Sequence, residues 1–338
     1  MIKVGINGFG RIGRLVLRIL IEKYVGIIQV VAINEPNIDA RYLAYQLKYD
    51  SVHGEIFDKI EVKNGSLEVN DIPIGIFVER NPGDIRWMDY DVDVVIESSG
   101  VFTTVEQANL HLKAGAKKVI ISAPSSDAPM YIIGGNHRDY KGEKIISNAS
   151  CTTNCLVPLL QILNNNFGIE EAFMTTVHST TSSQRTVDGM NKKDWRLGRS
   201  SGLNIIPSST GASACVEKIL PELKGKIAGL SVRVPTVDVS MIDLSVRLSE
   251  CVTYSKVMET IEEESLSRYG GIVGYTRDPL VSSDFIGDSR SCIVDGTAGL
   301  SISDTFIKII GWYDNEWAYS NRLVDLLLFT HERKAEQE

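Results

Sequence analysis

Three things are scarce in this chain of 338 residues. Long apolar runs are missing. The longest, such as VGIIQVVAI at 25–33, fall far short of the roughly 20 residues that a membrane-spanning helix needs. Cysteine is sparse, with five residues (Cys151, Cys155, Cys215, Cys251, Cys292), an odd count containing no CxxC pair. Neither a disulfide framework nor a metal site has support, and a reducing, cytoplasmic compartment is the expectation. Positive charge is in deficit, 35 Lys+Arg against 43 Asp+Glu for a net charge of -8, which excludes a dedicated nucleic-acid binder because phosphate backbones need a basic face. Pockets for small phosphates stay open, since one or two well-placed arginines suffice. The beginning, MIKVGINGFG, enters a strand and a glycine loop without the cationic, apolar and cleavage regions of a secretory leader, so none is expected.

What is present is ordinary globular material, 23% charged and 43% apolar, at a length that favours two domains. In the first half, apolar runs at 2–7, 29–34, 92–98, 117–123 and 144–149 read as buried parallel strands. Between them, 11–24, 37–50 and 104–116 carry helical spacing. This alternation predicts an α/β fold, a Rossmann-type doubly wound parallel sheet with its ligand crevice at the carboxyl ends of the strands. Two alternating runs that meet at Asn64-Gly65 within 59–80 predict a hairpin added to that sheet. Beyond a helix at 155–167, period-two runs at 171–180, 227–236, 239–249 and 305–314 predict an α+β second domain with an antiparallel sheet. The division is expected at residue 150. Residues 182–204 lack periodicity and read as a disordered or functional loop, and 320–334 as a last helix.

Two constellations carry chemistry. GFGRIG places Gly8, Gly10 and Gly13 in GxGxxG spacing between a strand and a helix, the arrangement that lets a pyrophosphate approach free N–H groups at a helix N-terminus. Glu35 ends the next strand, where a carboxylate binds the adenosine ribose hydroxyls and repels a 2'-phosphate, so NAD is preferred over NADP. Cys151 stands at the start of a helix, which favours its thiolate, with Cys155 one turn further in as a core residue. His178 ends a strand ahead of a polar run; a Cys–His pair would form a thiolate–imidazolium nucleophile whose imidazole then serves as base.

GINGFGRIGR (5–14), SNASCTTNCL (147–156), TTVHSTTSSQRTVDG (175–189), NIIPSSTGAS (204–213), RVPT (233–236) and WYDNEWAYSNR (312–322) together resemble the phosphorylating glyceraldehyde-3-phosphate dehydrogenases, nearly end to end and in order. The resemblance implies Cys151 as nucleophile and His178 as base, with Arg11, Ile12, Glu35, Arg80, Ser122 and Asn315 contacting NAD. It implies Ser150, Thr152, Thr181, Arg196, Thr210, Gly211 and Arg233 as holders of the phosphate of glyceraldehyde 3-phosphate and of the attacking inorganic phosphate. It implies a homotetramer with 182–204 near a neighbouring subunit, a catalytic domain at 151–314, and a final segment, 315–338, that returns to the NAD domain. Three departures bear on cofactor affinity: Glu35 where Asp is usual, Met190 after VDG where Pro is common, and Trp317-Ala318 in place of an aromatic-Gly pair. The alternatives are an erythrose-4-phosphate dehydrogenase with the same core motifs, and a non-catalytic NAD-sensing or interaction protein on the same scaffold. The WRLGR context and Arg196 favour the first reading over the former, and retention of Cys151, His178 and both arginines over the latter.

Overall fold

The computed structural model of the protein describes residues 1–335 other than Asn37 and Lys193. The chain divides into two compact units. One comprises Met1–Tyr131, His137–Ala149 and the chain from Ser320 onward, the other Ile132–Asn136 and Ser150–Tyr319. The return to the first unit lies at Ser320 rather than 315, and the short excursion at Ile132–Asn136 has no counterpart in the expected division.

The first unit holds β1 (Ile2–Asn7), α1 (Arg11–Lys23), β2 (Ile28–Asn34), α2 (Ala40–Lys48), β3 (Ile60–Lys63), β4 (Ser66–Val69), β5 (Ile72–Phe77), β6 (Val94–Glu97), α3 (Val105–Lys113), β7 (Lys118–Ile121) and β8 (Ile145–Ser147). Its eight-stranded sheet runs β3-β4-β5-β2-β1-β6-β7-β8, with parallel pairing from β5 through β8 and the antiparallel β3-β4-β5 meander at one edge. This is the doubly wound arrangement, and the order reverses between β1 and β6. Near-continuous apolar strands explain it, because Val4, Ile6, Val95, Ile96, Val119 and Ile120 are fully or almost fully buried under helices on both faces. α2 begins three residues later than predicted because Asp39 caps it, its carboxylate accepting from the Tyr42 N–H at 2.9 Å; Asn37 lies outside the described residues.

The second unit holds α4 (Cys151–Phe167), β9 (Ile169–His178), β10 (Ile206–Ser208), α5 (Ala212–Ile219), β11 (Ile227–Arg233), β12 (Ser240–Leu248), α6 (Tyr254–Leu266), β13 (Val273–Thr276), β14 (Cys292–Ser303) and β15 (Phe306–Tyr313). Its sheet runs β10-β11-β9-β12-β15-β14-β13. The expected antiparallel sheet is in fact mixed, since β11 pairs with β9 and β13 with β14 in parallel. Helix α5 lies in the crossover from β9 to β11, and the crossover from β13 to β14 is the segment 277–291, which holds one 3-10 turn at Ser282–Phe285. α7 (Trp317–Ala335) closes the described chain, with Leu323, Val324, Leu326 and Leu327 buried. The loop at 182–204 is folded on itself: Arg185 and Ser200 form a bridge, the Gly189 N–H donates to the Gly198 carbonyl at 2.8 Å, and Arg199 pairs with Asp188.

Candidate active site

In the first unit the glycine loop joins β1 to α1. Gly8 has a φ of 92°, and a Cβ there would lie 2.5 Å from the Ser99 nitrogen. A Cβ on Gly13 would run into the Gly8 carbonyl oxygen, so Gly13 is required where α1 packs on the strand and Gly8 where the loop after β6 comes close. Gly10 differs, for a Cβ on it would meet nothing within 4 Å. It is the N-cap of α1 and puts no side chain over the first turn of the helix. The loop is therefore shaped for a phosphate to approach the backbone at Gly10, Arg11 and Ile12. Glu35 is already turned toward it, with Oε2 accepting from the Phe9 N–H at 2.6 Å. The Arg11 side chain is engaged by Asp50; burial opposes ionisation of that carboxyl, but the bond from Arg11 and the N–H groups of His53 and Val52 outweigh it and hold Asp50 well below the carboxylate range. Ser122 follows β7 directly, and Arg80 lies exposed after β5.

In the second unit α4 starts at Cys151. Ala149, in the left-handed region at φ 52°, makes the sharp turn from β8, and Ser150 caps the helix by accepting from the Thr153 N–H at 3.1 Å. Cys151 Sγ lies 3.5 Å from His178 Nε2 at the end of β9. On the far side of the ring, Nδ1 lies 2.8 Å from the Ser179 carbonyl and 2.7 Å from Arg233 Nη1 at the end of β11. Parallel pairing sets Arg233 opposite His178 in register. Burial pushes the Cys151 thiol up, while the Arg233 guanidinium and the hydroxyl and N–H of Thr152 pull it back. Burial first and Arg233 second lower His178 to about 4. Burial of the two groups thus works against the ion pair that the helix terminus favours.

A Tyr313 hydroxyl at the end of β15, fully buried, bonds Thr152 Oγ1 and Thr176 Oγ1 at 2.9 Å each, and its ring stands edge-on to His178. Asn315 Oδ1 accepts from Ser179 Oγ at 2.8 Å and Ser240 Oγ at 2.7 Å, so its amide hydrogens point the other way. Tyr313, Ser179 and Ser240 were not singled out by the sequence. The WYDN run carries the first, but a tyrosine at a strand end has no signal that distinguishes it from core.

Residues 2–105 match the family profile "Glyceraldehyde 3-phosphate dehydrogenase, NAD binding domain", and residues 150–315 the corresponding "C-terminal domain". The chain is 54% identical to a cytosolic glyceraldehyde-3-phosphate dehydrogenase of Sinapis alba over 330 residues, 97% of each chain. It is 55% identical to glyceraldehyde-3-phosphate dehydrogenase 1 of Schizosaccharomyces pombe over 330 residues, again 97% of each, and 54% identical to glyceraldehyde-3-phosphate dehydrogenase 2 of Agaricus bisporus over 336 residues, 99% of each. The chain belongs to the glyceraldehyde-3-phosphate dehydrogenase family. Its cofactor is NAD.

In this dehydrogenase the remaining residues expected at the site fall into two groups. Arg233 and Thr152 stand at the Cys151–His178 pair, as described. Thr181 follows the pair closely, its N–H donating to Gln184 Oε1 at 3.2 Å, and Gly211 caps α5 without a side-chain bond, beside Thr210, whose hydroxyl accepts from the Ala212 N–H at 3.2 Å. Arg196 sits exposed on a single turn of 3-10 helix, Trp195–Gly198, inside the folded loop. Ser150 has a structural duty that the resemblance did not assign, as the cap of the helix that begins at Cys151.

Proposed function

We propose that the chain oxidises glyceraldehyde 3-phosphate to 1,3-bisphosphoglycerate with inorganic phosphate, in the cytosol and as a homotetramer, by covalent catalysis at Cys151. The observation that carries the reading is a thiol at the first residue of a helix, 3.5 Å from an imidazole nitrogen whose ring is in turn bonded by an arginine. Cys151 attacks the aldehyde carbon and yields a hemithioacetal. His178 Nε2 takes the hydroxyl proton as the carbon is oxidised, and the resulting thioester is cleaved by phosphate, which regenerates the thiol. NAD, when bound, accepts the hydride. The N–H of Cys151 is a donor for the developing oxyanion.

Gly8, Gly10, Arg11, Ile12, Gly13, Glu35, Arg80 and Ser122 are the cofactor contacts in this proposal, and Asn315 keeps the cofactor role that the resemblance implies. Ser150, Thr152, Thr181, Arg196, Thr210, Gly211 and Arg233 hold the substrate phosphate and the attacking phosphate, two anions that call for the two arginines. Tetramer formation is supported by the exposed apolar residues Val187, Met190, Trp195 and Leu203 on the loop at 182–204, an unusual density for a surface facing only water.

The test follows NADH absorbance with glyceraldehyde 3-phosphate, with and without phosphate. Steady turnover is expected only with phosphate, and without it a single burst. Cys151→Ser is expected to abolish both while NAD still binds, and iodoacetamide is expected to label Cys151 faster than Cys155, Cys215, Cys251 or Cys292. Activity that survives the substitution would overturn the mechanism.

A further inference from the structure

Beneath the glycine loop a buried polar network has protonation states that follow from its donors and acceptors. The Glu79 N–H donates to Asn34 Oδ1 at 2.8 Å, which fixes the Asn34 amide; its Nδ2 donates to Asn7 Oδ1 at 2.7 Å, which fixes the Asn7 amide in turn. Asn7 Nδ2 is thereby aimed at Glu97 Oε2, 2.5 Å away. Trp87 Nε1, which can only donate, bonds His111 Nδ1 at 3.0 Å, so the single ring proton of His111 sits on Nε2, and Nε2 donates to the same Glu97 oxygen at 2.9 Å. The other oxygen accepts from the Ser99 N–H at 2.9 Å and from the Ser99 hydroxyl, whose own oxygen accepts from the Val101 N–H. Four donors surround Glu97. It is a carboxylate beside a neutral histidine, and among the described residues no Lys or Arg pairs with it. Glu97 and His111 are 1% and 0% exposed.

This charge lies at a particular place in the sheet. Asn34, Asn7 and Glu97 are the last residues of β2, β1 and β6, at the carboxyl ends where the strand order reverses. Ser98 Oγ donates to the Gly8 carbonyl at 2.7 Å, and Ser99 abuts Gly8, so the loop after β6 packs directly against the glycine loop. In a doubly wound sheet the dinucleotide crosses this point, with its adenosine on the β2 side and its other half over β6 and β7.

We propose that Glu97 is a specificity-determining residue, a fixed negative charge beneath the nicotinamide half of the site that tightens the oxidised cofactor relative to the reduced one. The inference rests on the NAD reading above but not on the Cys151 mechanism. The two cofactor forms share their adenosine and pyrophosphate, and any repulsion between Glu97 and the phosphates is common to both. They differ in the ring, cationic when oxidised and neutral when reduced. A buried charge is weakly screened, so it discriminates on ring charge. The preference would hold the oxidised form for reaction and ease release of the reduced one.

The test measures equilibrium binding by calorimetry of NAD and of benzamide adenine dinucleotide, an uncharged isostere of the oxidised form, on the whole enzyme. The wild type is expected to bind NAD at least three-fold more tightly. In Glu97→Gln the ratio is expected to fall toward one through weaker NAD binding, with the affinity for the isostere changed less than two-fold. His111→Gln retains the carboxylate and is expected to retain the ratio. Should Glu97→Gln not fold alone, Glu97→Gln with His111→Gln, which supplies the new amide with an acceptor, is read against His111→Gln in the same way. Equal affinities in the wild type, or equal weakening of both ligands in the Glu97 variant, would overturn the proposal; the second result would make Glu97 a structural prop.

Discussion

Arg233 and His178 make demands on one another that a single resting arrangement does not meet. Arginine only donates, so its contact with His178 Nδ1 puts the ring proton on Nε2, facing the thiol, whereas a base at Nε2 needs that proton on Nδ1, bonded to the Ser179 carbonyl. An anion that drew the guanidinium away would free Nδ1 to take the proton. Since Arg233 pulls the Cys151 thiol down, Arg233→Gln is expected to raise the apparent pKa of Cys151 alkylation; an unchanged alkylation profile would count against the contact. His178→Asn is expected to lower kcat on the order of 10²- to 10⁴-fold with a smaller change in KM. His178 also bears on acid stability. Its folded pKa of about 4 lies below the unfolded value of about 6.5, so the unfolded chain binds the proton more readily between those values. Stability attributable to this group is present above the unfolded pKa and falls as pH drops from about 6.5 to about 4, by up to about 3 kcal/mol. Urea titrations across that window should show a flatter acid limb for His178→Asn.

At the scale of elements, the glycine loop separates packing from binding. Gly13→Ala drives a methyl against the Gly8 carbonyl and is expected to lower both thermal stability and NAD affinity. Gly10→Ala enters open space, so stability should change little while NAD affinity falls ten-fold or more, because the methyl occupies the phosphate's approach. Parallel losses at both positions would show that Gly10 is structural. The legible part of the fold follows the same division. Strands buried on both faces and helices with regular apolar spacing stand out in the sequence, so the first sheet and its loop were readable. The apolar period of α4 shows only from residue 155, and its start at Cys151 was legible from the strand that ends just before it, while the Ser150 cap that fixes that start was not singled out. β14 went unseen because Gly296 and Gly299 interrupt its alternation, and the parallel pairs of the second sheet arise from contacts distant in sequence. Glu97 and Asn7 meet across 90 residues, a pairing without any local pattern.

Across the whole molecule, cofactor binding is expected to act on the first unit. Saturation at about 100 times Kd stabilises by about 2.7 kcal/mol, and amide exchange should slow first at Phe9–Gly13 and Glu35. Protection confined to the second unit would contradict the assignment. Sedimentation should give a particle of four times 37.3 kDa. Trp195→Glu is expected to shift it toward smaller species, and a wild-type monomer would remove the tetramer from the proposal.

The return of the chain to the first unit at Ser320 also orders the molecule's birth on the ribosome. The unit containing Cys151 ends at Tyr319, whereas the unit that begins synthesis lacks α7, with Leu323, Val324 and Leu327 to bury, until the last stretch has emerged. At about 5–20 residues per second the interval is brief, but its sense is fixed. The unit that holds Cys151 has all its residues before the first unit does. A chain released at residue 319 would therefore hold every residue of the unit that contains Cys151 without a finished dinucleotide fold.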